Sequence, residues 1–275
     1  ALAIVETIRV ICACTGQHLT LSANSLVCAS YPASRVPPMF LQQFYSLDQS
    51  TLSISAEQGS RFAKTISNDF NPIHDADSKR FCVPGDLLFA LVLQRYGLSQ
   101  QMRFQFSGMV SADATLVFPE SPAAAFEIVD NRDKAYLQVS RSGSQVQDQQ
   151  VLETLIKNYV LFSGQNFPHI LVPLMAEKNV MINPQRPLVI YESMSLQLDT
   201  LALEQPSVEL AGTSLEVDGK RGNAELNFNL MDGGKLVGRG VKSLILSGLR
   251  EYQQDAIDLM VADYLANQAR HSAQA

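Results

Sequence analysis

The alternation of apolar and polar residues is clearest in the last third of the chain. Leu226, Phe228 and Leu230 alternate with polar residues, and turn sequences rich in Asp and Gly flank them at residues 218–222 and 232–234. A period of two is typical of a strand that buries one face, and such turns join neighbouring antiparallel strands. The pattern therefore predicts hairpin-connected strands in this region.

The same reasoning predicts strands along most of the chain. Runs rich in β-branched and aromatic residues are separated by short sequences of Gly, Pro, Asn, Asp and Ser, which favour turns. Strands are predicted at residues 40–47, 103–110, 113–118, 125–129, 134–141, 151–162, 188–198, 207–217, 224–231 and 235–246. Because the connections are short and polar, we expect an antiparallel sheet.

Two helices are predicted before the first long run of strands. Ser55 followed by Gln58 has the spacing of a capping box, which opens a helix. In the next helix, Pro84 suits the first position and Gly97 suits the end. Residues 87–93 of this second helix are apolar on every side, so other elements must enclose it. The strands downstream offer a sheet that can wrap around it.

A helix followed by four strands is predicted twice, which indicates an α+β fold built from two similar halves. We expect the first half at residues 39–163 and the second at 164–248. The second half opens with a short helix at 167–178, although its two prolines weaken that prediction. The region 249–275 completes the chain as a C-terminal helix and tail.

The C-terminal helix is predicted to be amphipathic, between residues 250 and 270. Its apolar stripe consists of Ile257, Met260, Val261, Tyr264 and Leu265. Two interpretations stay open at this point. The stripe packs against the sheet of its own chain, or it forms an interface with another chain, which would make the protein a homodimer.

Residues 1–38 differ from the rest of the chain. They contain three of its four cysteines and few charges, and they end in two prolines before Met39. We interpret this segment as a disordered or loosely packed leader upstream of a natural start at Met39. An additional β-hairpin is the alternative. A metal site at Cys12 and Cys14 is disfavoured, because no second pair of ligands has metal-binding spacing.

Composition excludes some classes of function. The chain has 275 residues, 46% of them hydrophobic, a net charge of −6 and a pI near 5.2. An acidic chain argues against nucleic-acid binding, which normally needs a basic face. The apolar runs are too short to span a membrane. Sparse cysteines outside the first 38 residues favour a reducing, cytoplasmic location.

The chemistry is concentrated between the two predicted helices. Asn68 and the Asn71–Pro72 pair interrupt the first helix, because the residue before a proline avoids the helical region. Asp69 and His74 therefore lie on a bent connection, where both side chains can turn toward one point. Carboxylate and imidazole groups are able to exchange protons near neutral pH. Without further context, a capping Asp and a surface His would be the simpler interpretation.

The run from Ser67 to His74, Ser-Asn-Asp-Phe-Asn-Pro-Ile-His, resembles the S-x-D-x-N-P-x-H signature of MaoC-like dehydratases, the (R)-specific enoyl-CoA hydratases of the hot-dog fold. The resemblance implies a long helix wrapped by a curved antiparallel sheet, and the repeated outline then implies a tandem double hot dog. It also implies that Asp69 and His74 are the catalytic pair. The N–H group of Gly85, at the start of the apolar helix, would hold charge on the thioester oxygen.

Further residues are assigned by the same resemblance and by charge. Asn71 is expected to shape the turn or bind near the pair, and Lys79 with Arg80 to bind an anionic carrier. Three aspartates near the motif are interpreted as helix caps rather than metal ligands: Asp75, Asp77 and Asp86. The chain departs from the family in having Pro84 where a His is usual, and in a short stretch between His74 and Gly85.

The expected function is hydration or dehydration of 2-enoyl and 3-hydroxyacyl thioesters. The acyl group would be carried by coenzyme A or acyl carrier protein, and no metal or redox cofactor is expected. Two alternatives stay open. One is a hot-dog protein that binds acyl thioesters without converting them, and the other is a thioesterase that uses Asp69 as its base.

Overall fold

The computed structural model describes residues 40–273, so the predictions for residues 1–38 lie outside the described residues. A 3-10 helix at Phe40–Phe44 precedes strands β1 (Ser46–Asp48) and β2 (Thr51–Ser53). The strand predicted at 40–47 is thus mostly wrong. Leu41 and Phe44 are buried on one side of this helical turn. A short apolar run is compatible with a strand and with a helix, so the pattern alone does not separate the two.

Two helices follow, as predicted. Helix α1 (Ala56–Thr65) opens with the capping box, in which Ser55 and Gln58 exchange side-chain and backbone hydrogen bonds. A short 3-10 helix, Pro72–His74, leads toward α2 (Gly85–Tyr96), which ends at Gly97 with a positive φ of 77°. Pro84 is the residue before the first helical turn rather than the first residue in it. All residues from 87 to 93 are buried.

Four strands complete the first half: β3 (Leu98–Phe106), β4 (Leu116–Val117), β5 (Ala125–Asp130) and β6 (Ala135–Val146). The predicted strand at 151–162 is wrong. This region is helix α3 (Gln149–Gly164), capped by Asp148, whose carboxylate accepts from the N–H groups of residues 150 and 151. Its buried residues recur at helical spacing: Val151, Leu152, Leu155, Ile156, Tyr159 and Val160.

The remaining elements form the second half and the tail. Helices α4 (Asn166–His169) and α5 (Leu171–Glu177) occupy the predicted short helix, and β7 (Val180–Met181) follows. The four long strands are β8 (Val189–Leu198), β9 (Pro206–Asp218), β10 (Arg221–Asp232) and β11 (Lys235–Ser247), close to their predicted bounds. The chain continues through β12 (Arg250–Glu251) to α6 (Gln254–Ser272).

Ten of the strands form one antiparallel sheet in the order β1-β2-β4-β5-β6-β3-β8-β11-β10-β9. From the central pair outward, the order 3-6-5-4 in one half matches the order 8-11-10-9 in the other. The two halves meet where β3 pairs with β8, with Arg103 opposite Ser195. Helix α2 lies in the core of the first half, enclosed by side chains of both halves. This is the predicted α+β tandem hot-dog fold, with a C-terminal helix.

The second half covers its sheet with shorter helices. Leu171 and Met175 of α5 pack with Leu226 and Leu246 of the sheet and with Ile257 of α6. No helix among residues 40–273 combines the length and the apolar character that crossing a bilayer requires.

Candidate active site

A cavity of about 490 Å³ lies where the two halves meet at the start of α2. Its wall is formed by residues 67–74, here called the motif loop, and by the first turn of α2, strands β8 and β11, the end of α3 and helix α6. The polar and aromatic residues on this wall include Ser67, Asp69, Asn71, His74, Asp86, Phe106, Ser163, Asn166, Tyr191, Lys242 and Tyr264. The cavity therefore collects the predicted motif together with residues distant in sequence.

The end of α1 sets the position of Asp69. Asn68 adopts the left-handed conformation, with φ of 52°, and turns the chain out of the helix. Asparagine tolerates this conformation better than most residues. The Asp69 N–H then donates to the Ala63 carbonyl oxygen at 2.9 Å. The turn at Asn68 and this hydrogen bond place the Asp69 carboxylate beside the cavity, with 22% of the side chain exposed.

Two hydrogen bonds fix His74 against the neighbouring segment. The Cys82 N–H donates to the Ile73 carbonyl oxygen at 3.0 Å, and His74 Nδ1 lies 2.7 Å from the Cys82 carbonyl oxygen. Because a carbonyl oxygen can only accept, Nδ1 must carry the proton. In the neutral ring, Nε2 then holds the free lone pair. The imidazole is thus oriented to act as a base through Nε2.

Asp69 and His74 face each other as the motif predicts. His74 Nε2 lies 3.6 Å from Asp69 Oδ2, and only 12% of the His74 side chain is exposed. This separation is too long for a direct hydrogen bond. It allows one water molecule or substrate hydroxyl to contact both groups.

Asn71 organises the loop rather than pointing freely into the cavity. Its N–H donates to Asp69 Oδ1 at 2.9 Å, and its side-chain oxygen accepts from the Ile73 N–H at 3.2 Å. The side chain thus caps the 3-10 helix that carries His74. One oxygen of Asp69 is held by this loop, and Oδ2 faces the imidazole.

Gly85 begins α2 and contributes to the cavity wall. N–H groups of a first helical turn have no acceptor within the helix and carry partial positive charge. The absent side chain has a packing reason. A Cβ at Gly85 would lie 3.0 Å from Tyr191 Cδ1 and 3.1 Å from Phe106 Cε1. These two rings stack closely, with centroids 4.3 Å apart, and fill that space.

The structure does not bring every predicted residue to the cavity. Lys79 and Arg80 lie on an exposed turn between His74 and α2, and neither forms part of the wall. Asp75 forms an ion pair with Lys64 at 2.7 Å, and Asp77 is exposed. The interpretation of the aspartates as caps is wrong for Asp86, because α2 has no side-chain cap.

Asp86 belongs instead to a buried polar cluster that sequence reasoning missed. Ser163 Oγ lies 2.8 and 2.6 Å from the two carboxylate oxygens of Asp86. Lys242 Nζ donates to both the hydroxyl and the carbonyl oxygen of Ser163. Burial raises the pKa of Asp86, and burial lowers the pKa of Lys242. We call these three residues the Asp–Ser–Lys cluster.

The pattern of β11 contains a signal for Lys242. Inward positions alternate along the strand through Gly238, Gly240, Lys242 and Leu244, all of which are buried. A lysine on the inward face of a strand is unusual, because charged residues are rarely fully buried without a partner. That signal indicates a buried polar partner for Lys242, although it does not identify the partner.

Helix α6 closes the cavity from the C-terminal side. Tyr264 packs edge-to-face on Phe70, and its hydroxyl accepts a hydrogen bond from the Phe70 N–H at 3.3 Å. Of the predicted stripe, Ile257 and Tyr264 are buried, whereas Leu265 is 42% exposed. The stripe therefore packs against its own chain along one edge.

Two buried polar atoms on the wall have no hydrogen-bond partner among the described residues, namely Ser67 Oγ and Asn166 Oδ1. Buried polar groups are nearly always paired in folded proteins. Both residues line the cavity, but neither of these two atoms is itself exposed.

Comparisons with solved structures find matches of low identity. A conserved protein of unknown function with hot dog fold from Alicyclobacillus acidocaldarius is 7% identical over 75% of this chain and 97% of that chain, with a TM-score of 0.40. The peroxisomal multifunctional enzyme type 2 from Drosophila melanogaster is 12% identical over 70% of this chain and 47% of that chain, with a TM-score of 0.39. A MaoC-like dehydratase is 10% identical over 73% and 97%, with a TM-score of 0.37.

Similarities of this strength carry no argument about activity. No curated protein matches the chain. A family model matches residues 39–255, and its description is "Protein of unknown function (DUF3581)". Since this match spans most of the sequence, the chain belongs to the DUF3581 family.

Proposed function

We propose that the protein adds water to 2-enoyl thioesters and catalyses the reverse dehydration of 3-hydroxyacyl thioesters. The observation that carries this proposal is the placement of Asp69 and His74, 3.6 Å apart, on the wall of a cavity that also contains the start of α2. Addition of water to an enoyl thioester needs a base, an acid and donors for the thioester oxygen. The cavity contains a candidate for each.

The proposed step uses His74 as both base and acid. A water molecule held between His74 Nε2 and Asp69 Oδ2 loses a proton to Nε2 while its oxygen bonds to C3 of the substrate. The π electrons of the C2–C3 bond move toward the thioester carbonyl, whose oxygen gains negative charge. The proton on Nε2 then goes to C2, so that His74 ends the cycle unchanged. Asp69 stabilises the intermediate imidazolium.

The N–H group of Gly85 is proposed to hold the thioester oxygen. It lies in the first turn of α2, where the helix dipole favours negative charge. Donors of this kind act on the charge that develops during the reaction. No redox step or metal-bound oxygen is needed for this chemistry.

The carrier of the acyl group is proposed to be coenzyme A or acyl carrier protein. Both are anionic, and the exposed Lys79 and Arg80 lie on the turn between His74 and α2. Because neither side chain forms part of the cavity wall, we expect them to contact the carrier rather than the acyl group.

Thioester hydrolysis is the second candidate, favoured by the free Oδ2 of Asp69. Asn71 holds Oδ1 of this carboxylate, so Oδ2 could deprotonate water without help from His74. Hydration needs both side chains, whereas hydrolysis would survive the loss of His74. Binding of acyl thioesters without conversion would persist after the loss of either side chain.

The decisive experiment assays the purified protein with a short 2-enoyl-CoA, recording both loss of the enoyl absorbance and release of free thiol. We expect hydration by the wild type and a loss of about 100-fold or more in Asp69→Asn and in His74→Ala, the scale of general acid–base catalysis. Asp77→Asn and His169→Ala are matched controls, since both residues are exposed and lie outside the cavity wall.

Other outcomes identify the alternatives. Thiol release that persists in His74→Ala and disappears in Asp69→Asn would indicate hydrolysis. If the wild-type protein binds CoA esters but is as inactive as both variants, the proposed enzymatic activity is ruled out. Circular dichroism must show that each variant remains folded.

A further inference from the structure

The cavity wall contains a lysine that the proposed chemistry has not yet used. Lys242 is 4% exposed and lies on β11, in the second half, whereas Asp69 and His74 belong to the first. Its ammonium donates to the Ser163 carbonyl oxygen at 3.3 Å and to the Ser163 hydroxyl. It also lies 4.3 Å from the centre of the Tyr191 ring.

Stability alone does not explain this arrangement well. Removing two charges from water is costly, and apolar residues of similar volume often replace a buried ion pair without loss of stability. Here Lys242 and Asp86 are both residues of the cavity wall. Perturbed, buried charges in a cavity are a frequent mark of functional sites. The location of Lys242 thus favours a role toward a ligand.

Lys242 is close to the start of α2. The Tyr191 ring that contacts the ammonium also occupies the space beside Gly85, and Asp86 is the next residue of the helix. The charge of Asp69 also reaches Lys242, since it raises the lysine's pKa against the effect of burial. The ammonium therefore lies near the start of α2, on the cavity wall that also includes Asp69 and His74.

The neighbouring groups favour a neutral oxygen over a free carboxylate as the partner of Lys242. Asp86 already balances the charge of the ammonium, and Asp69 adds a further negative charge nearby. A substrate carboxylate would meet net negative charge here. A carbonyl oxygen accepts from the ammonium without that penalty, and it gains stabilisation as it becomes negative.

We infer that Lys242 binds the thioester carbonyl oxygen and carries the negative charge that develops on it. This inference rests on the proposed action on acyl thioesters. No bond to the lysine forms or breaks, and no proton leaves its nitrogen. Ser163 is a positioning residue that holds the ammonium, and Asp86 keeps the site electrically balanced before the reaction. The second half thus supplies one component of the reaction that the first half alone lacks.

The test uses acetoacetyl-CoA, whose C2 proton is acidic. Loss of that proton to solvent leaves an enolate, and this enolate absorbs in the near ultraviolet. A site that binds the oxyanion raises the enolate fraction of the bound ligand, whether or not the protein turns over a 2-enoyl thioester. The enolate band therefore separates this inference from the proposed hydration.

We expect wild-type protein and the His74→Ala variant to increase the enolate band on binding acetoacetyl-CoA. Lys242→Met, which keeps an unbranched side chain of similar size but removes the charge, should lose the increase. The double variant Asp86→Asn with Lys242→Met removes both charges, so it provides a folded test if the single variant unfolds. Lys235→Met is the matched control on the same strand, because Lys235 is exposed.

A second readout is the rate of hydration. Loss of one donor to an oxyanion lowers kcat by about 10²–10³-fold, and we expect this loss in Lys242→Met and in the double variant. The affinity for saturated butyryl-CoA should change far less, because its carbonyl oxygen develops no charge. A purely structural lysine would leave the enolate band and kcat of the folded double variant at wild-type values. That result, or the absence of an enolate band in the wild type, would overturn the inference.

Discussion

Gly85 is the residue at which packing and the proposed chemistry meet. An alanine there would press its Cβ against Tyr191 and Phe106, at 3.0 and 3.1 Å. The Tyr191 hydroxyl is hydrogen-bonded to that of Tyr159, which limits how far the ring can move. We expect Gly85→Ala to lower the free energy of unfolding by about 1–3 kcal/mol, the usual cost of overpacking. Urea denaturation measures this change.

Gly212→Ala is the matched control for that prediction. Gly212 lies in β9, and apart from its own atoms and those of its two neighbours in sequence, no atom lies within 4 Å of the position that a Cβ would take. A surface change of this kind alters the free energy of unfolding by about 0.5 kcal/mol or less. Equal changes in the free energy of unfolding for Gly85→Ala and Gly212→Ala would show that Tyr191 and Phe106 move aside without cost, which would contradict the packing argument.

Individual site residues differ in how far the sequence predicts them. Asp69 and His74 are five positions apart, so a local motif suffices to bring them together. The Asp–Ser–Lys cluster joins positions separated by 77 and 79 residues. Local pattern reveals that Lys242 faces inward on β11, but its partners depend on how α2, α3 and β11 pack. No short-range signal contains that information.

At the scale of elements, the sheet was easier to predict than the helix that joins its halves. The strands of the second half have turns rich in Asp and Gly and a regular alternation, and their bounds are nearly correct. Residues 151–162 lack both features and were wrongly assigned to a strand. Their apolar positions recur in adjacent pairs every four residues, which is helical spacing. Because this segment follows a run of predicted strands, the apolar content alone favours a strand, whereas the spacing favours a helix.

Helix α6 is tied to the motif loop by one hydroxyl. Tyr264 accepts from the Phe70 N–H at 3.3 Å and can donate to the carbonyl oxygen of Asn68 or Gly164, at 3.3 and 3.4 Å. We expect Tyr264→Phe to lower the free energy of unfolding by about 1–3 kcal/mol, because the buried Phe70 N–H loses its partner. The hydratase rate should also fall, because Asp69 lies in this loop between Asn68 and Phe70.

The control for Tyr264→Phe lies on the same helix. Leu259 is 68% exposed, so Leu259→Ala removes apolar surface that the fold does not bury. We expect it to leave both unfolding and hydration unchanged. If Tyr264→Phe matched this control in thermal unfolding, the tail helix would not support the loop through its hydroxyl.

Across the whole molecule, the two halves are joined by backbone pairing and by charge. Strands β3 and β8 make the sheet continuous, and the Asp–Ser–Lys cluster connects α2 of the first half with β11 of the second. Asp86 and Lys242 are connected through Ser163, and loss of either leaves an uncompensated buried charge, which costs about 3–5 kcal/mol where the pair is direct. We therefore expect Lys242→Met and Asp86→Asn each to be strongly destabilised at neutral pH. The double variant should be more stable than the sum of the two losses predicts.

The pH dependence of unfolding separates the two single variants. Burial raises the pKa of Asp86, and the charge of Lys242 opposes that rise. In Lys242→Met this opposition is lost, so the pKa of Asp86 stays raised. Between the ordinary value of 3.8 and the folded pKa, the folded state binds more protons, so stability falls as pH rises.

In Asp86→Asn the lowered pKa of Lys242 has the opposite effect. Between the folded pKa and the ordinary value of 10.5, the unfolded state binds more protons. Stability therefore rises as pH rises through this window. Urea titrations of both variants across pH should give slopes of opposite sign, and the double variant should show neither slope. Parallel slopes in the two single variants would contradict the opposite directions of the Asp86 and Lys242 pKa shifts.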